Sequence, residues 1–197
     1  MSSSPPHRRL LLLRHGHYLR DGRTSDPAYR LSPLGRRQAV RLGRHLRALL
    51  ASYDGSFEGI YTSPWARARE TAEIVGHETG VSTLRIKPYL HETIPLPPAG
   101  DPPLPGHVRR AVVHQVERVR GRFFRPPSRN ELVFVATHGN LIRYLVASIL
   151  GLPFEAWVKL DIAHASITEV RIYEGGLDTL FAYAETAHLP APMVTTS

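Results

Sequence analysis

Two histidines occupy matching places in this sequence, each after an apolar run and before a glycine. The first is His15, in Arg14-His15-Gly16, directly after Leu10 to Leu13. The second is His138, in Thr137-His138-Gly139-Asn140, directly after Leu132-Val133-Phe134-Val135-Ala136. A buried strand that ends this way delivers an imidazole to the rim of a parallel sheet, where open α/β sheets bind ligands. Two such histidines, one beside an arginine, suit an anion site that contains a nucleophile. Phosphoryl transfer fits that set. It needs positive charge around the equatorial oxygens, an in-line nucleophile and a proton for the leaving oxygen.

Two further side chains could complete the chemistry. Arg67 lies in Ser63-Pro64-Trp65-Ala66-Arg67-Ala68-Arg69, one turn into a helix that begins just after a strand. The first turn of a helix favours anions, and an arginine there adds a bidentate fork. Arg69 points elsewhere around the helix and reads as a surface ion-pair partner. Glu92, in Leu90-His91-Glu92, opens a proline-rich stretch and could reach in as a general acid. His17, Tyr18, Arg20, His91, His164 and His188 are candidates for the mouth of the pocket. A metal centre built from His15, His17 and His138 is the weaker alternative, because no acidic ligand is evident nearby.

Strands and helices must alternate to place these groups. Residues 9–13, 57–61, 83–87 and 132–136 read as strands. Ser32-Pro33 and Ser63-Pro64 each read as a helix start, a cap followed by proline. The first helix carries Leu42, Leu46, Leu49 and Leu50 on one stripe, and the second runs to about Glu78. Residues 88–106 form an ordered irregular excursion. Val108 to Phe123 mark the third helix, and a fourth runs from the His138 loop through Leu150. Phe154 to Leu160 suggest a short helix. Residues 165–173 and 177–184 flank Glu174-Gly175-Gly176 as a hairpin. The fold class this order predicts is α/β, a three-layer αβα sandwich whose mostly parallel central sheet has an antiparallel edge. The expected organisation is a frayed start at 1–8, one domain over 9–190 and a tail at 191–197.

The 197 residues carry a net charge of +8, and arginine supplies nearly all of it, the lysines being Lys87 and Lys159. Aromatics do not interleave with the arginines as a base-stacking groove requires, so no nucleic-acid partner is expected. There are no cysteines, which excludes disulfides and thiolate chemistry. No apolar run reaches transmembrane length, and the chain is expected to be cytoplasmic, with no membrane partner. No cofactor and no metal are expected. The expected partner is a phosphorylated small molecule or a phosphoprotein, with a homodimer left open.

The motifs R-H-G at 14–16, L-S-P-L-G-R-R-Q-A at 31–39, S-P-x-x-R-A-x-x-T-A at 63–72, L-H-E at 90–92 and T-H-G-N at 137–140 occur in one order. In that order they resemble the histidine phosphatase (phosphoglycerate-mutase-like) superfamily. H-G-N-L-I-R-Y-L-V at 138–146, F-E-A-W-V-K-L at 154–160, A-S-I-T at 165–168 and T-A-H-L-P at 186–190 are similar to its serine/threonine phosphatase branch, called phosphoglycerate mutase family member five. The resemblance implies His15 as the nucleophile that becomes phosphohistidine and Arg14, Arg67 and His138 as the phosphate clamp, helped by the backbone at Gly139. It implies Glu92 as the proton donor. The activity it implies is a metal-independent phosphomonoesterase acting on phosphoserine or phosphothreonine in a protein, or on a small phosphate ester. A phosphoglycerate mutase and a non-catalytic phosphate-binding protein are the alternatives.

Overall fold

In the computed structural model, which describes residues 5–20, 26–98 and 100–196, the leucine run lies in β1 (His7–Arg14). Leu10 and Leu12 join one hydrophobic cluster, and Leu11 and Leu13 join the other. A strand with both alternating faces apolar needs helices on both sides. β1 pairs in parallel with β4 (Glu131–Thr137) and antiparallel with β5 (Ile167–Tyr173). β2 (Ser56–Thr62) pairs in parallel with β4 and with β3 (Leu84–Ile86). β6 (Asp178–Glu185) lies antiparallel to β5, giving the order β3-β2-β4-β1-β5-β6. This is the α/β sandwich with an antiparallel edge that the sequence predicts.

α1 (Pro33–Ala51) and α2 (Ala66–Thr79) cover one face, where Leu42, Leu46 and Val75 pack against Leu11, Leu13 and Phe134. α3 (Gly106–Phe123) and α4 (Gly139–Ile149) cover the other, where Val116, Val119, Leu141 and Tyr144 pack against Leu10, Leu12 and Val135. The excursion between β3 and α3 is ordered by specific bonds. The Tyr144 hydroxyl accepts from Leu96 N at 2.6 Å and donates to the Ile94 carbonyl at 3.2 Å. The Trp157 indole donates to the Leu96 carbonyl at 2.7 Å. Among the described residues, no helix is long and apolar enough to cross a membrane.

Three expectations need correction. α1 begins as predicted, with Ser32 Oγ accepting from Gly35 N at 3.1 Å, but α2 begins at Ala66 rather than at Ser63-Pro64. Ser63 Oγ does accept a backbone N–H, from Trp65 at 3.1 Å, yet the same hydroxyl is 2.8 Å from His138 Nε2, and Trp65 is still extended. Arg67 is therefore the second residue of α2. Of the frayed start expected at 1–8, residues 1–4 lie outside the described residues, and His7 and Arg8 belong to β1 instead of fraying. Arg8 donates to Glu131 at 2.9 and 2.6 Å and to the Phe123 carbonyl at 2.9 Å. At the carboxyl end the expected tail folds back. Gln38 Nε2 donates to the Met193 carbonyl at 2.7 Å and to Thr195 Oγ1 at 3.0 Å.

Candidate active site

The carboxyl ends of β1 and β4 lie side by side, with Arg14 opposite Thr137 in the register. The strand ladder continues past β1. His15 N donates to the Thr137 carbonyl at 3.0 Å, and the His15 carbonyl accepts from Ala165 N at 3.1 Å. Gly16 then runs against the first turn of α1, where a Cβ would meet the Gly35 carbonyl oxygen at 2.5 Å. A Cβ on Gly35 would meet the His17 carbonyl at 2.0 Å, so two glycines allow this backbone crossing. Gln38 Oε1 accepts from His17 N at 2.7 Å, and Ser32 N donates to the His17 carbonyl at 3.0 Å. The L-S-P-L-G-R-R-Q-A segment is thus a clamp on the residues that follow the histidine.

His15 is buried, and its tautomer follows from its neighbours. Nδ1 lies 2.9 Å from the Gly16 carbonyl, which can only accept. Nδ1 therefore carries the hydrogen, and Nε2 keeps a lone pair, which accepts from Arg67 Nε at 3.1 Å. Burial holds the His15 pKa well below that of a free imidazole, and His138, Arg14 and Arg67 lower it further. The ring stays neutral, as a nitrogen nucleophile must.

Arg67 is 1% exposed, so its guanidinium is fixed. Nη1 donates to the Asp26 carbonyl at 2.8 Å and to Asp26 Oδ1 at 3.2 Å. Its carbon lies 4.6 Å from the Tyr18 ring centroid and 4.8 Å from that of Trp65. Arg69 pairs with Glu73 one turn on, at the exposed surface, as its place on the helix predicts. Arg14 is also buried; Nη1 donates to the Ile162 carbonyl, and Nε has no partner. Gly139 makes room for it, since a Cβ there would stand 3.2 Å from Arg14 Nε. Burial is the main cause that brings Arg14 down to about 10, which leaves it charged at neutral pH.

His138 is fully buried, with its ring centroid 5.1 Å from that of His15. With Ser63 Oγ accepting from Trp65 N, the hydroxyl hydrogen is free to go to His138 Nε2. On that assignment Nδ1 carries the ring hydrogen; it has no partner. Glu92 reaches the same place from the excursion. Its Oε1 accepts from Thr93 N at 3.1 Å and from Asn140 N, in the first turn of α4, at 3.2 Å. Burial raises the Glu92 pKa to about 7, against the opposing pull of Arg67, the Thr93 amide and Arg14. With Tyr18, Arg20, Asp26, Trp65 and Asn140, Arg67 and Glu92 line a cleft of about 290 Å³.

The mouth candidates divide. Tyr18 packs edge-on to His15 at 5.2 Å, and Arg20 donates to the Tyr18 hydroxyl at 3.1 and 2.9 Å. His17 turns toward Ser32 Oγ, 2.8 Å from its Nδ1. His91 lies 6.1 Å from Trp65, nearly stacked on it. His188 is not brought to the site. It sits against His45 of α1, with Nε2 3.0 Å from the Ala165 carbonyl. His164 is closer in than its place among the mouth residues implies. It is 2% exposed and 5.6 Å from the His15 ring, with its Nδ1 3.1 Å from the Thr195 carbonyl. Burial is the main cause that lowers its pKa to about 3. Asp26, Ser63, Trp65 and Gln38 were not singled out from the sequence. Gln38, Ser63 and Trp65 lie inside quoted motifs, and Asp26 does not. Among the described residues, no group of three or more histidine or acidic side chains is arranged to hold a metal ion.

Arg67→Lys tests this geometry. An ammonium cannot donate from one rigid plane to both His15 and Asp26. A loss of roughly 10²-fold in kcat/KM is expected, of the order seen when one transition-state donor is removed. Near-wild-type steady-state kinetics would mean that the fork is not used.

The family model for the histidine phosphatase superfamily (branch 1) matches residues 10–94 and 96–183. The serine/threonine-protein phosphatase Pgam5, mitochondrial, of Drosophila grimshawi is 34% identical over 200 residues, covering 95% of this chain and 66% of that protein. The chain thus spans a little under two thirds of that relative's length. Among solved structures, a phosphoglycerate mutase of Plasmodium falciparum matches with a TM-score of 0.66 at 24% identity, covering 94% of this chain and 96% of that one. A mycobacterial glucosyl-3-phosphoglycerate phosphatase matches with a TM-score of 0.64 at 23% identity, covering 91% and 100%. At those identities the structures bear on the fold.

Proposed function

The chain belongs to the histidine phosphatase superfamily, and we propose that it is a metal-independent phosphomonoesterase that works through a phosphohistidine on His15. The reading rests on one observation above the others. The Nε2 lone pair of a buried, neutral His15 touches a fixed guanidinium, beside a carboxyl whose pKa is raised to about 7. On this reading a phosphate dianion enters between Arg14, Arg67 and His138. Arg67 Nε passes from His15 to a phosphate oxygen, and the unpartnered Arg14 Nε and His138 Nδ1 gain acceptors. His15 Nε2 then bonds to phosphorus as the ester P–O bond breaks, and Glu92 gives its proton to the leaving oxygen. In the second half, the Glu92 carboxylate takes a proton from water, which attacks phosphorus and restores the free imidazole.

The substrate we infer is phosphoserine or phosphothreonine in a protein, or a small phosphate ester; the name of the Drosophila relative favours the first. That name prints a mitochondrial location, which gives the cytoplasmic expectation no support.

Two guanidiniums supply the positive charge that a metal would otherwise bring, and a neutral histidine adds a hydrogen-bond donor. Turnover of phosphoesters should therefore survive EDTA, and vanadate should inhibit it as a mimic of five-coordinate phosphorus. Loss of activity on chelation, restored by one particular divalent ion, would move the reading to a metallophosphatase. Interconversion of two phosphoglycerates that depends on a bisphosphate primer would move it to a mutase.

A further inference from the structure

A second groove of about 320 Å³ lies between the excursion and α3, and it shares Glu92, Thr93 and Ile94 with the catalytic cleft. Its floor is apolar, made by Pro88, Ile94, Val108 and Ala111. Ile94, where the two grooves meet, is 55% exposed. The α3 wall is basic. His114 and Arg118 line it, and Arg110 precedes them by one turn, so the three fall at a spacing of four on one helical face. Glu92 is the one acidic side chain lining the groove, and it sits at the end shared with the catalytic cleft.

The pairing of the α3 arginines is selective. Arg109 pairs with Glu155, Arg120 with Asp178 and Arg122 with Glu58. Arg110 and Arg118 make no ion pair among the described residues, and both are exposed. Arg118 is nonetheless held in place, its guanidinium carbon 4.9 Å from the Tyr89 ring centroid. The opposite wall is pinned as well. Gln115 Nε2 donates to the Tyr89 and His91 carbonyls at 3.1 and 2.8 Å. The groove is therefore preformed, and no acidic side chain among the described residues pairs with Arg110 or Arg118.

We propose that this groove docks an extended acidic segment of a phosphoprotein, next to the phosphorylated residue seated at His15. The inference rests on the phosphatase reading above and narrows its substrate to protein. A chain leaving the catalytic cleft past Ile94 enters the groove directly. There its aspartates or glutamates meet Arg118, His114 and Arg110, and its apolar side chains meet the floor. A small phosphate ester reaches only the cleft.

The test uses phosphoserine peptides with acidic, neutral or basic residues on either flank, with p-nitrophenyl phosphate as the substrate that ignores the groove. Wild type should prefer an acidic flank on one side, and the preference should shrink as salt rises. Arg110→Glu with Arg118→Glu should raise KM for the acidic peptide about 10-fold, with kcat little changed, the scale of reversing two rim charges. The same double variant should hydrolyse p-nitrophenyl phosphate like wild type, which also shows that it is folded. Equal KM for all flanks in wild type would overturn the proposal, as would an equal loss on p-nitrophenyl phosphate. Turnover of small esters with none of phosphopeptides would overturn the docking site and leave the phosphatase reading standing. Turnover of neither would sink that reading first. If the double variant instead lost binding to single-stranded RNA or anionic vesicles while peptide kinetics stayed unchanged, the groove would serve a different partner.

Discussion

His15→Ala is expected to reduce turnover by roughly 10⁴-fold or more, the scale of losing a nucleophile from a set that acts as a unit. The size of the effect follows from the lack of a substitute. With the Ser63 hydroxyl donating to its Nε2, His138 presents a protonated Nδ1, which can donate to a phosphate oxygen but cannot attack phosphorus. His164 has its Nδ1 engaged by Thr195, and its ring stands 5.6 Å from that of His15. The clamp should outlast the substitution, because Arg14, Arg67 and His138 take their positions from other groups. Ile162 holds Arg14, Asp26 holds Arg67 and Ser63 holds His138. The variant should therefore bind substrate or inorganic phosphate with near-native affinity while kcat collapses. Rapid-quench sampling of wild type should capture acid-labile, base-stable phosphate on His15, and the variant should carry none. Turnover within tenfold of wild type would end the covalent mechanism.

The parts of this site that could be read from the sequence are those fixed by apolar strands. Leu10 to Leu13 and Leu132 to Ala136 are buried on both faces of the sheet, so their ends, and hence His15 and His138, could be placed from hydrophobicity alone. Glu92 was reachable because β3 ends just before it. What escaped was set by contacts distant in sequence. The start of α2 reads as Ser63 by its cap-plus-proline pair, but His138, 75 residues away, shares that hydroxyl. Asp26 reads as a turn residue until Arg67, 41 residues on, is seen to donate to it. Arg8 reads as part of a frayed start because nothing local announces Glu131 across the sheet. His164 looked peripheral because its depth depends on the Ala163–Ser166 turn. There Ala165 is left-handed, with φ of 55°, and donates its amide to the His15 carbonyl. The folded-back segment at Met193–Thr195 has no periodicity to read, and its anchor is a single glutamine on α1.

Glu92→Gln is expected to slow phosphoserine hydrolysis by roughly 10²- to 10⁴-fold, the usual worth of a positioned general acid. p-Nitrophenyl phosphate should slow far less, because its phenolate leaves without a proton. The pH dependence carries the same signature. A carboxyl raised to about 7 is protonated below that pH and loses its proton above it. In wild type, kcat/KM for the alkyl ester should therefore fall as pH rises through about 7. On the acid side it should fall as the substrate loses its dianionic form, near a second pKa of about 6. Any acid limb from His15 should lie well below the range of free imidazole, because burial and the neighbouring His138, Arg14 and Arg67 lower its pKa. Glutamine should remove the alkaline limb. Stability gives an independent readout. Between the ordinary carboxyl value of 4.5 and about 7, the folded state holds a proton at Glu92 that the unfolded chain has released. The wild-type fold therefore loses stability as pH rises through that window, and the glutamine variant does not. The thermal midpoint of the variant relative to wild type should climb between pH 5 and pH 8. An equal slowing of both substrates, with the alkaline limb intact, would remove Glu92 from the mechanism. No other carboxylate of the excursion could take its place, because Asp101 is exposed and lies in a separate cavity beside Arg109 and Glu155.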